Sequence, residues 1–473
     1  MTDRECSPLL PSPRLSRREW LRRSSAGFGM LALRGLLGDP LATGAQKRDH
    51  PAKAKSVIFC FMDGGPSHVD TFDPKPALAK YAGKAIGAAA VSKRSQSDPN
   101  RVWMPSPWKF EARGKSGLMV SDLFPHLASV ADELCVVRSM VGEQPLHGQQ
   151  NLLLHTGRVT GGAPSIGSWA SYGLGSTSKG LPGYVLLNND WVPNGGMENF
   201  GSAYLPADTQ ATVLRAKGLP LDNIKPSDRS AVQRRKLALL REQDEEFSGG
   251  RDTIDSAIRN YEAAFRMQTA VPEVADCSRE SAQTQKLYGL DSKNDYQKHY
   301  ALQCLRARRL VEAGVRFVEV TCPLTHANNS PWDQHGELKK YHGENATITD
   351  QSVAALIADL KRRGLLETTI VLWAGEMGRT PHTPRLAATA GRDHHVAGYS
   401  LFLAGGGFKG GSAFGATDDF GNAVSVNPLT VHDIHATMLH QLGFDHEKLT
   451  FRFGGRDHRL TDVHGRVVKE LLA

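Results

Sequence analysis

The run Ser56-Val57-Ile58-Phe59-Cys60-Phe61-Met62 is apolar from its second residue onward, and it stops abruptly at Asp63-Gly64-Gly65-Pro66. A strand with one face in water alternates apolar and polar residues, so an uninterrupted apolar run predicts a strand buried on both faces. Similar runs cover residues 313–320, 369–374 and 399–404, and helical stretches such as 348–363 and 431–442 accompany them. This alternation predicts an α/β protein, with a three-layer α/β/α sandwich around a mostly parallel sheet.

Carboxylate, imidazole and guanidinium side chains cluster where these predicted strands end. They are Asp63 after the first strand, Asp333 and His335 after the second, Glu376 and Arg379 after the third, and His394 and His395 just before the fourth. Ligands of open α/β sheets bind beyond the carboxyl ends of the strands, so we expect these residues to share one cleft. Each has an ordinary explanation alone, such as a turn at Asp63 or solvent-exposed imidazoles. Together, carboxylates and imidazoles suit Zn²⁺, Mn²⁺ or a similar divalent ion.

The composition is that of an ordinary globular protein, with 473 residues and with 57 Lys and Arg against 49 Asp and Glu. The first 45 residues contain seven Arg and four acidic residues, which leaves an excess of only five positive charges over the rest of the chain. No basic run or aromatic-basic pattern accompanies this excess, so we do not expect nucleic acid as a partner. The six cysteines form no CxxC pair, which argues against a disulfide scaffold or a zinc ribbon.

The N-terminal segment has the pattern of an export signal. Ser16-Arg17-Arg18-Glu19-Trp20-Leu21-Arg22 is a twin-arginine motif, and an apolar stretch over 26–37 and small residues over 42–45 follow it. This order predicts a signal peptide over residues 1–45 and a periplasmic or extracellular mature chain. A basic amphipathic helix is the alternative. No later stretch reaches the ~20 apolar residues of a membrane span, so we expect none after signal cleavage.

Two further segments depart from the strand and helix alternation. Residues 227–298 are charge-rich with apolar residues at helical spacing, which predicts a helical insertion packed on the sheet. Residues 188–206 include Trp191 and resemble a loop that lines a cleft, because ligand-binding loops are carried on rigid scaffolds. Trp191 is equally suited to packing.

The motifs around these residues resemble a known family. Met62-Asp63-Gly64-Gly65-Pro66-Ser67-His68, Trp332-Asp333-x-His335, Gly375-Glu376-Met377-Gly378-Arg379-Thr380-Pro381 and Gly391-Arg392-Asp393-His394-His395 are similar to the bacterial DUF1501 family, within the alkaline phosphatase and sulfatase-like superfamily. The resemblance runs from Lys55 to the C-terminus. It implies an alkaline phosphatase-type sandwich and two metal subsites that flank an anionic ester. One subsite would contain Asp63 and Glu376, and the other Asp333, His335 and one of His394 or His395.

The chain departs from the superfamily pattern at two positions. His147 stands about where the superfamily has its nucleophile, and Met377 replaces a histidine, although a thioether is a poor ligand for a hard divalent ion. His147 could complete the Asp63 and Glu376 subsite as a ligand or act as a general base, with water as the nucleophile. Arg379 could clamp the anionic group or form a structural salt bridge.

The resemblance and the residues together predict an exported hydrolase of phosphate or sulfate esters that depends on a divalent metal ion, namely Zn, Mn, Ca or Mg. Its partner would be an anionic ester, either a small molecule or a polysaccharide. A noncatalytic ligand-binding relative on the same scaffold is the main alternative, and a transferase or isomerase is a further one, because a fold alone does not determine function.

Overall fold

A computed structural model describes residues 45–473 apart from 93, 96, 179, 222, 223, 227, 249–251 and 327–329, and the side chains of 244–262 also lie outside the description. The predicted signal peptide falls outside the described residues except for Ala45. The described residues form a central eight-stranded sheet in the order β8-β2-β7-β6-β1-β5-β3-β4. Its strands are β1 (Ser56–Phe61), β2 (Leu134–Met140), β3 (Tyr184–Asn188), β4 (Thr212–Arg215), β5 (Phe317–Thr321), β6 (Thr369–Ala374), β7 (Tyr399–Ala404) and β8 (Ser412–Phe414).

Helices cover both faces of this sheet. They are α1 (His68–Thr71), α2 (Pro76–Lys80), α3 (His147–Thr156), α4 (Ile166–Leu174), α5 (Ser230–Ser248), α6 (Asp252–Ala275), α7 (Ala282–Tyr288), α8 (Asp295–Glu312), α9 (Leu338–Arg362) and α10 (Val431–Gln441). Short 3₁₀ helices lie at Ala88–Ala90, Leu127–Glu133, Gly196–Phe200, Ala207–Thr209, Cys277–Arg279, Leu366–Thr368 and Lys469–Leu471. The segment predicted as a helical insertion contains α5, α6 and α7 and the start of α8. Among the described residues, no helix is long and apolar enough to cross a membrane.

Among the described residues, short two-stranded ribbons accompany the central sheet. They pair Val102–Trp103 with His382–Thr383, Phe110–Arg113 with Leu118–Ser121, Gly378–Arg379 with His394–His395, Ala416–Thr417 with Val424–Val426, and Phe451–Phe453 with Arg456–His458. The ribbon that contains His394 and His395 is the one that bears on function.

The side chains of β1 alternate between two core clusters, which explains the three layers. Val57, Phe59 and Phe61 belong to a core cluster that also contains residues of α3, α4 and α10. Ile58 and Cys60 belong to a second cluster, with residues of α8 and α9. Successive side chains of a strand point to opposite faces of the sheet, so an all-apolar strand requires a helical layer on each side. The predicted α/β/α sandwich with a mostly parallel sheet is confirmed.

One strand of the described sheet reverses direction. β1 pairs in parallel with β5 and β6, whereas β7 is antiparallel to both β6 and β2. An antiparallel strand begins at the edge where the parallel strands end. The residues just before β7 therefore reach the same edge as the residues that follow β1, β5 and β6.

Several imidazoles are buried as neutral rings, and this predicts acid sensitivity. Burial lowers the pKa of His342 to about 3 and that of His435 to about 3. In the unfolded chain a histidine binds its proton near pH 6.5, so the unfolded state takes up more protons as the pH falls below that value. We expect each ring to lower the free energy of unfolding by up to ~1.4 kcal/mol per pH unit below about pH 6.5, until the folded pKa is reached.

Urea unfolding at pH 7.5 and pH 5.0 measures this effect. Replacing His435 with Gln should reduce the stability difference between the two pH values by about 2 kcal/mol, because one buried titrating ring is removed. His126 is exposed, and His126→Gln is the matched control because it leaves the buried rings in place. Equal pH dependence in His435→Gln and wild type would contradict the prediction.

Candidate metal centre

The carboxyl edge of the sheet brings together side chains from distant parts of the chain. Asp63 follows β1, Glu376 follows β6, and Asp333 lies in the loop between β5 and α9. His147 is the first residue of α3, after β2, and His394 precedes β7. The elements meet because parallel strands end, and the reversed strand begins, at one edge.

Imidazole nitrogens surround one oxygen of Asp333. Nε2 of His147 and Nε2 of His394 each lie 3.2 Å from Oδ1 of Asp333, and Nε2 of His335 lies 3.1 Å from it. The ligand atoms of His147, Asp333 and His394 all lie within 4.8 Å of one another. Two atoms bound at ~2.0–2.1 Å to one tetrahedral ion are ~3.3 Å apart, so these separations fit ligands of a shared ion.

The other ring nitrogen of each histidine donates to an oxygen. Nδ1 of His147 donates to Oε1 of Glu376 at 2.5 Å, Nδ1 of His335 to Oδ1 of Asp393 at 2.5 Å, and Nδ1 of His394 to the carbonyl oxygen of Pro145 at 2.7 Å. A neutral ring with its proton on Nδ1 would direct the lone pair of Nε2 towards Asp333, and Nε2 of His335 and Nε2 of His394 also lie 3.0 Å from each other. Metal-ligating histidines are held in this way, because the outer hydrogen bond sets the tautomer and the ring orientation.

The surroundings of Asp333 keep its carboxylate ionised. Burial alone would raise the pKa of Asp333, but hydrogen bonds from the histidines and the charge of Arg379 hold it well below its usual range. Nη2 of Arg379 lies 2.6 Å from Oδ1 of Asp333. Arg379 is fully buried and also donates to the carbonyl oxygens of Gly64 and Gly65. Of the two roles predicted for Arg379, these contacts favour the structural salt bridge over an anion clamp.

Asp63 and Glu376 form a carboxylate pair beside this cluster. Asp63 accepts hydrogen bonds from the Asn151 amide and from the Trp191 indole, each at 3.0 Å. Glu376 accepts from the backbone N–H of Gly64 at 3.0 and 3.2 Å. Burial and repulsion by Glu376 raise the pKa of Asp63 to about 7. Trp191, predicted either to line the cleft or to pack, is a hydrogen-bond donor to this pair.

His147 links the two groups of residues. The sequence interpretation assigned it to the Asp63 and Glu376 half, and in the structure its ring contacts Glu376 through Nδ1 and Asp333 through Nε2. Burial lowers the pKa of His147, but the hydrogen bonds to Asp333 and Glu376 outweigh it and raise the pKa to about 9. His147 would therefore have to release its Nε2 proton to act as a ligand of the Asp333 cluster, while Glu376 orients the ring.

The structure separates the two adjacent histidines of the last motif. Both lie on the short ribbon that pairs with Gly378–Arg379, where successive side chains point to opposite faces. His394 faces Asp333, whereas His395 is fully buried and stacks on His68 with ring centroids 5.8 Å apart. His394 is therefore the member of this pair that reaches the candidate metal centre.

Sequence reasoning missed Asn151 and Asp393 as supporting residues. Asn151 lies four residues after His147, so both side chains project from the same face of α3. Asp393 belongs to the Gly391–His395 motif, and it orients His335. The helical spacing and the motif were available signals, but neither identifies the partner of the side chain.

Gly391 is required by the close approach of two loops. A Cβ added there would overlap backbone atoms of His335 and Gly336. We expect Gly391→Ala to shift the loop that carries Asp333 and to weaken divalent-ion affinity ~10–100-fold, as the loss of groups that orient metal ligands does. Calorimetric titration with Zn²⁺ checks this result. Gly336→Ala is the matched control, because its added Cβ would meet only the Thr389 carbonyl oxygen at 3.6 Å. Unchanged affinity in Gly391→Ala would contradict the proposed loop contact.

Comparison with known families agrees with the motifs. The sequence profile of a family described as "Protein of unknown function (DUF1501)" matches residues 54–472. The chain belongs to the DUF1501 family. The family membership predicted from the motifs is thereby confirmed. A search of curated protein sequences found no match to this DUF1501 chain.

Solved structures similar to the DUF1501 chain share little sequence with it. The PsFucS1 sulfatase from Pseudoalteromonas sp. is 13% identical, with a TM-score of 0.37, over 88% of this chain and 72% of that chain. The lipoteichoic acid synthase LtaP from Listeria monocytogenes is 10% identical, with a TM-score of 0.38, over 87% and 77%. A protein in the alkaline phosphatase superfamily from Vibrio parahaemolyticus is 10% identical, with a TM-score of 0.34, over 91% and 76%. Similarity at this level assigns no activity.

Proposed function

We propose that this DUF1501 protein is a divalent-metal-dependent hydrolase of phosphate or sulfate esters. The observation that supports it is that the Nε2 atoms of three imidazoles converge on Oδ1 of Asp333. Nδ1 of each ring is hydrogen-bonded to an oxygen. This donor set of one carboxylate and several imidazoles suits Zn²⁺ or Mn²⁺ better than the oxygen-rich sites of Ca²⁺ or Mg²⁺.

A bound divalent ion would supply positive charge for the nonbridging oxygens of an ester and would make water more acidic. Asp333, His147 and His394 would hold it, with His335 beside them. The His335 side chain is 42% exposed, so this side of the cluster is the entry for an anionic ester, either a small molecule or part of a polysaccharide.

Glu376 gives His147 its role in this proposal. By accepting the Nδ1 proton at 2.5 Å, Glu376 holds Nε2 towards Asp333 and makes the imidazole a stronger base. The chain therefore orients His147 either to bind the ion or to move a proton during hydrolysis. Asp63 remains fixed behind it by Asn151 and Trp191.

Elemental analysis of the purified mature chain, combined with a screen of aryl phosphates, phosphodiesters and aryl sulfates, tests the function. We expect a stoichiometric divalent ion and turnover of one ester class, lost with a chelator and restored by Zn²⁺ or Mn²⁺. A chain that binds neither ion would contradict the proposal. An ion and an ester bound without turnover would support the noncatalytic ligand-binding relative instead.

We also propose export of the protein through the twin-arginine route, supported by Ser16 to Arg22. The double substitution Arg17→Lys and Arg18→Lys should leave the precursor in the cytoplasm, because export by this route depends on the arginine pair. Immunoblots of cytoplasmic and exported fractions measure the result. Secretion of the doubly substituted chain at the wild-type level would rule out this route.

A further inference from the structure

We infer that this chain holds a single divalent ion, at the Asp333 cluster. N–H groups of the protein occupy the oxygens of Asp63 and Glu376, so that no second ion binds to this pair. The inference rests on the proposed metal centre and deepens it. The resemblance implies two metal subsites, and the residues of this chain fit only one of them.

Both oxygens of Asp63 face nitrogen donors. The Asn151 amide nitrogen donates to Asp63 Oδ1 at 3.0 Å and to the carbonyl oxygen of Asn194 at 2.9 Å. Because both partners are acceptors, the NH₂ end of the amide, and not its oxygen, must face Asp63. The indole of Trp191 is a donor only, and it lies 3.0 Å from Oδ2. The hydrogens of these two N–H groups carry partial positive charge, and they lie where a second cation would approach Asp63.

The oxygens of Glu376 are also occupied by N–H donors. It is fully buried, its two oxygens share the N–H of Gly64, and Oε1 also accepts from Nδ1 of His147. The negative charge of Glu376 is thus balanced by hydrogen-bond donors, which is how buried carboxylates are stabilised without a metal.

The Asp63 and Glu376 half also lacks the imidazole that its counterpart in the superfamily has. Met377 occupies that position, and its side chain is buried against Gly65, where an added Cβ would lie 2.8 Å from Cγ of Met377. A thioether does not replace an imidazole for a borderline or hard divalent ion. The Asp333 cluster, in contrast, combines a carboxylate with three imidazoles, and the guanidinium of Arg379 also lies 2.6 Å from Oδ1 of Asp333.

The donors are held in place by the core. His155 lies one turn after Asn151 on α3, and its Nδ1 donates to the Asn151 carbonyl oxygen at 2.8 Å. Nε2 of His155 donates to Oε1 of Glu319 at 2.8 Å, and the Tyr184 hydroxyl donates to Oε2 at 2.7 Å. All three side chains are fully buried. These bonds hold the helix backbone at Asn151, and the Asn151 amide is held by Asp63 and by the carbonyl oxygen of Asn194.

Metal stoichiometry of the full mature chain separates the two halves. After removal of metal with a chelator, titration with Zn²⁺ followed by elemental analysis should give one ion per wild-type chain. Asp63→Asn and Asp333→Asn are a matched isosteric pair. We expect Asp63→Asn to keep the ion with a Kd within ~3-fold of wild type. We expect Asp333→Asn to weaken binding by ~100-fold or more, because losing a direct ligand costs more than losing a group that orients one.

Two ions per wild-type chain would overturn the inference and leave the proposed hydrolase intact. Loss of the ion in Asp63→Asn would also overturn it. Should Asp63→Asn not fold, Trp191→Phe provides a second test, because it removes a donor to Asp63 and leaves His147 and Glu376 in place, so the single ion should again be retained. No ion in the wild-type chain would instead refute the proposed metal centre itself.

Discussion

Replacing Asp333 with Ala is expected to remove the bound ion and to lower kcat/KM for the best ester substrate by ~10³-fold or more. Asp333 provides the oxygen on which the three Nε2 atoms converge, so its loss leaves the imidazoles without their anionic partner. A catalytic metal ion contributes several kcal/mol to transition-state stabilisation, and each 1.36 kcal/mol corresponds to ~10-fold in rate. Elemental analysis and steady-state kinetics on the same preparation measure both effects.

His147→Ala distinguishes the two roles of His147. Loss of the ion in this variant would identify His147 as a ligand, and loss of rate with the ion retained would identify it as a base. Wild-type turnover in both Asp333→Ala and His147→Ala would exclude hydrolysis at this site. A trapped phosphoryl-serine or phosphoryl-threonine would exclude water as the attacking group while keeping the hydrolase.

Replacing Arg392 with Met is expected to destabilise the protein by ~3–5 kcal/mol, because it leaves the charge of Asp70 buried without its partner. Both side chains are fully buried, and Nε of Arg392 lies 2.7 Å from Oδ2 of Asp70. Arg392 also donates to the carbonyl oxygens of Thr380 and Met104, so it ties the Gly391–His395 motif to α1 and to a neighbouring loop. Urea unfolding gives the free-energy change.

A double-mutant cycle supplies the control for this pair. Arg392→Met combined with Asp70→Leu should lose less stability than the sum of the two single changes, because no unpaired charge remains buried. Arg452→Met removes an exposed pair with Asp457, whose atoms are 3.4 Å apart, and should leave the unfolding free energy near the wild-type value. Additive effects in the buried pair would show that Arg392 and Asp70 are not coupled.

Strand positions could be predicted because a strand that is buried on both faces is a continuous run of apolar residues. The apolar runs that predicted strands at 56–62, 369–374 and 399–404 correspond to β1, β6 and β7. The run over 313–320 corresponds to β5, which begins at Phe317 because Gly314, with φ of +95°, ends the preceding turn. The tendency of ligand-binding residues to follow parallel strands also predicted that Asp63, Asp333 and Glu376 lie at one edge of the sheet.

The layers, the family motifs and the edge at which the charged residues meet could be predicted from the sequence. Apolar runs and motifs are local properties of the chain, and residues that follow parallel strands meet at one edge. The direction of β7, the position of His394 rather than His395 beside Asp333, and the pairing of Asn151 and Trp191 with Asp63 emerge from the folded structure. Strand direction depends on which neighbours form hydrogen bonds, and the face that a ribbon residue presents depends on its register. Both are set by contacts between segments far apart in the chain, such as β7 with β2, and no local pattern encodes such contacts.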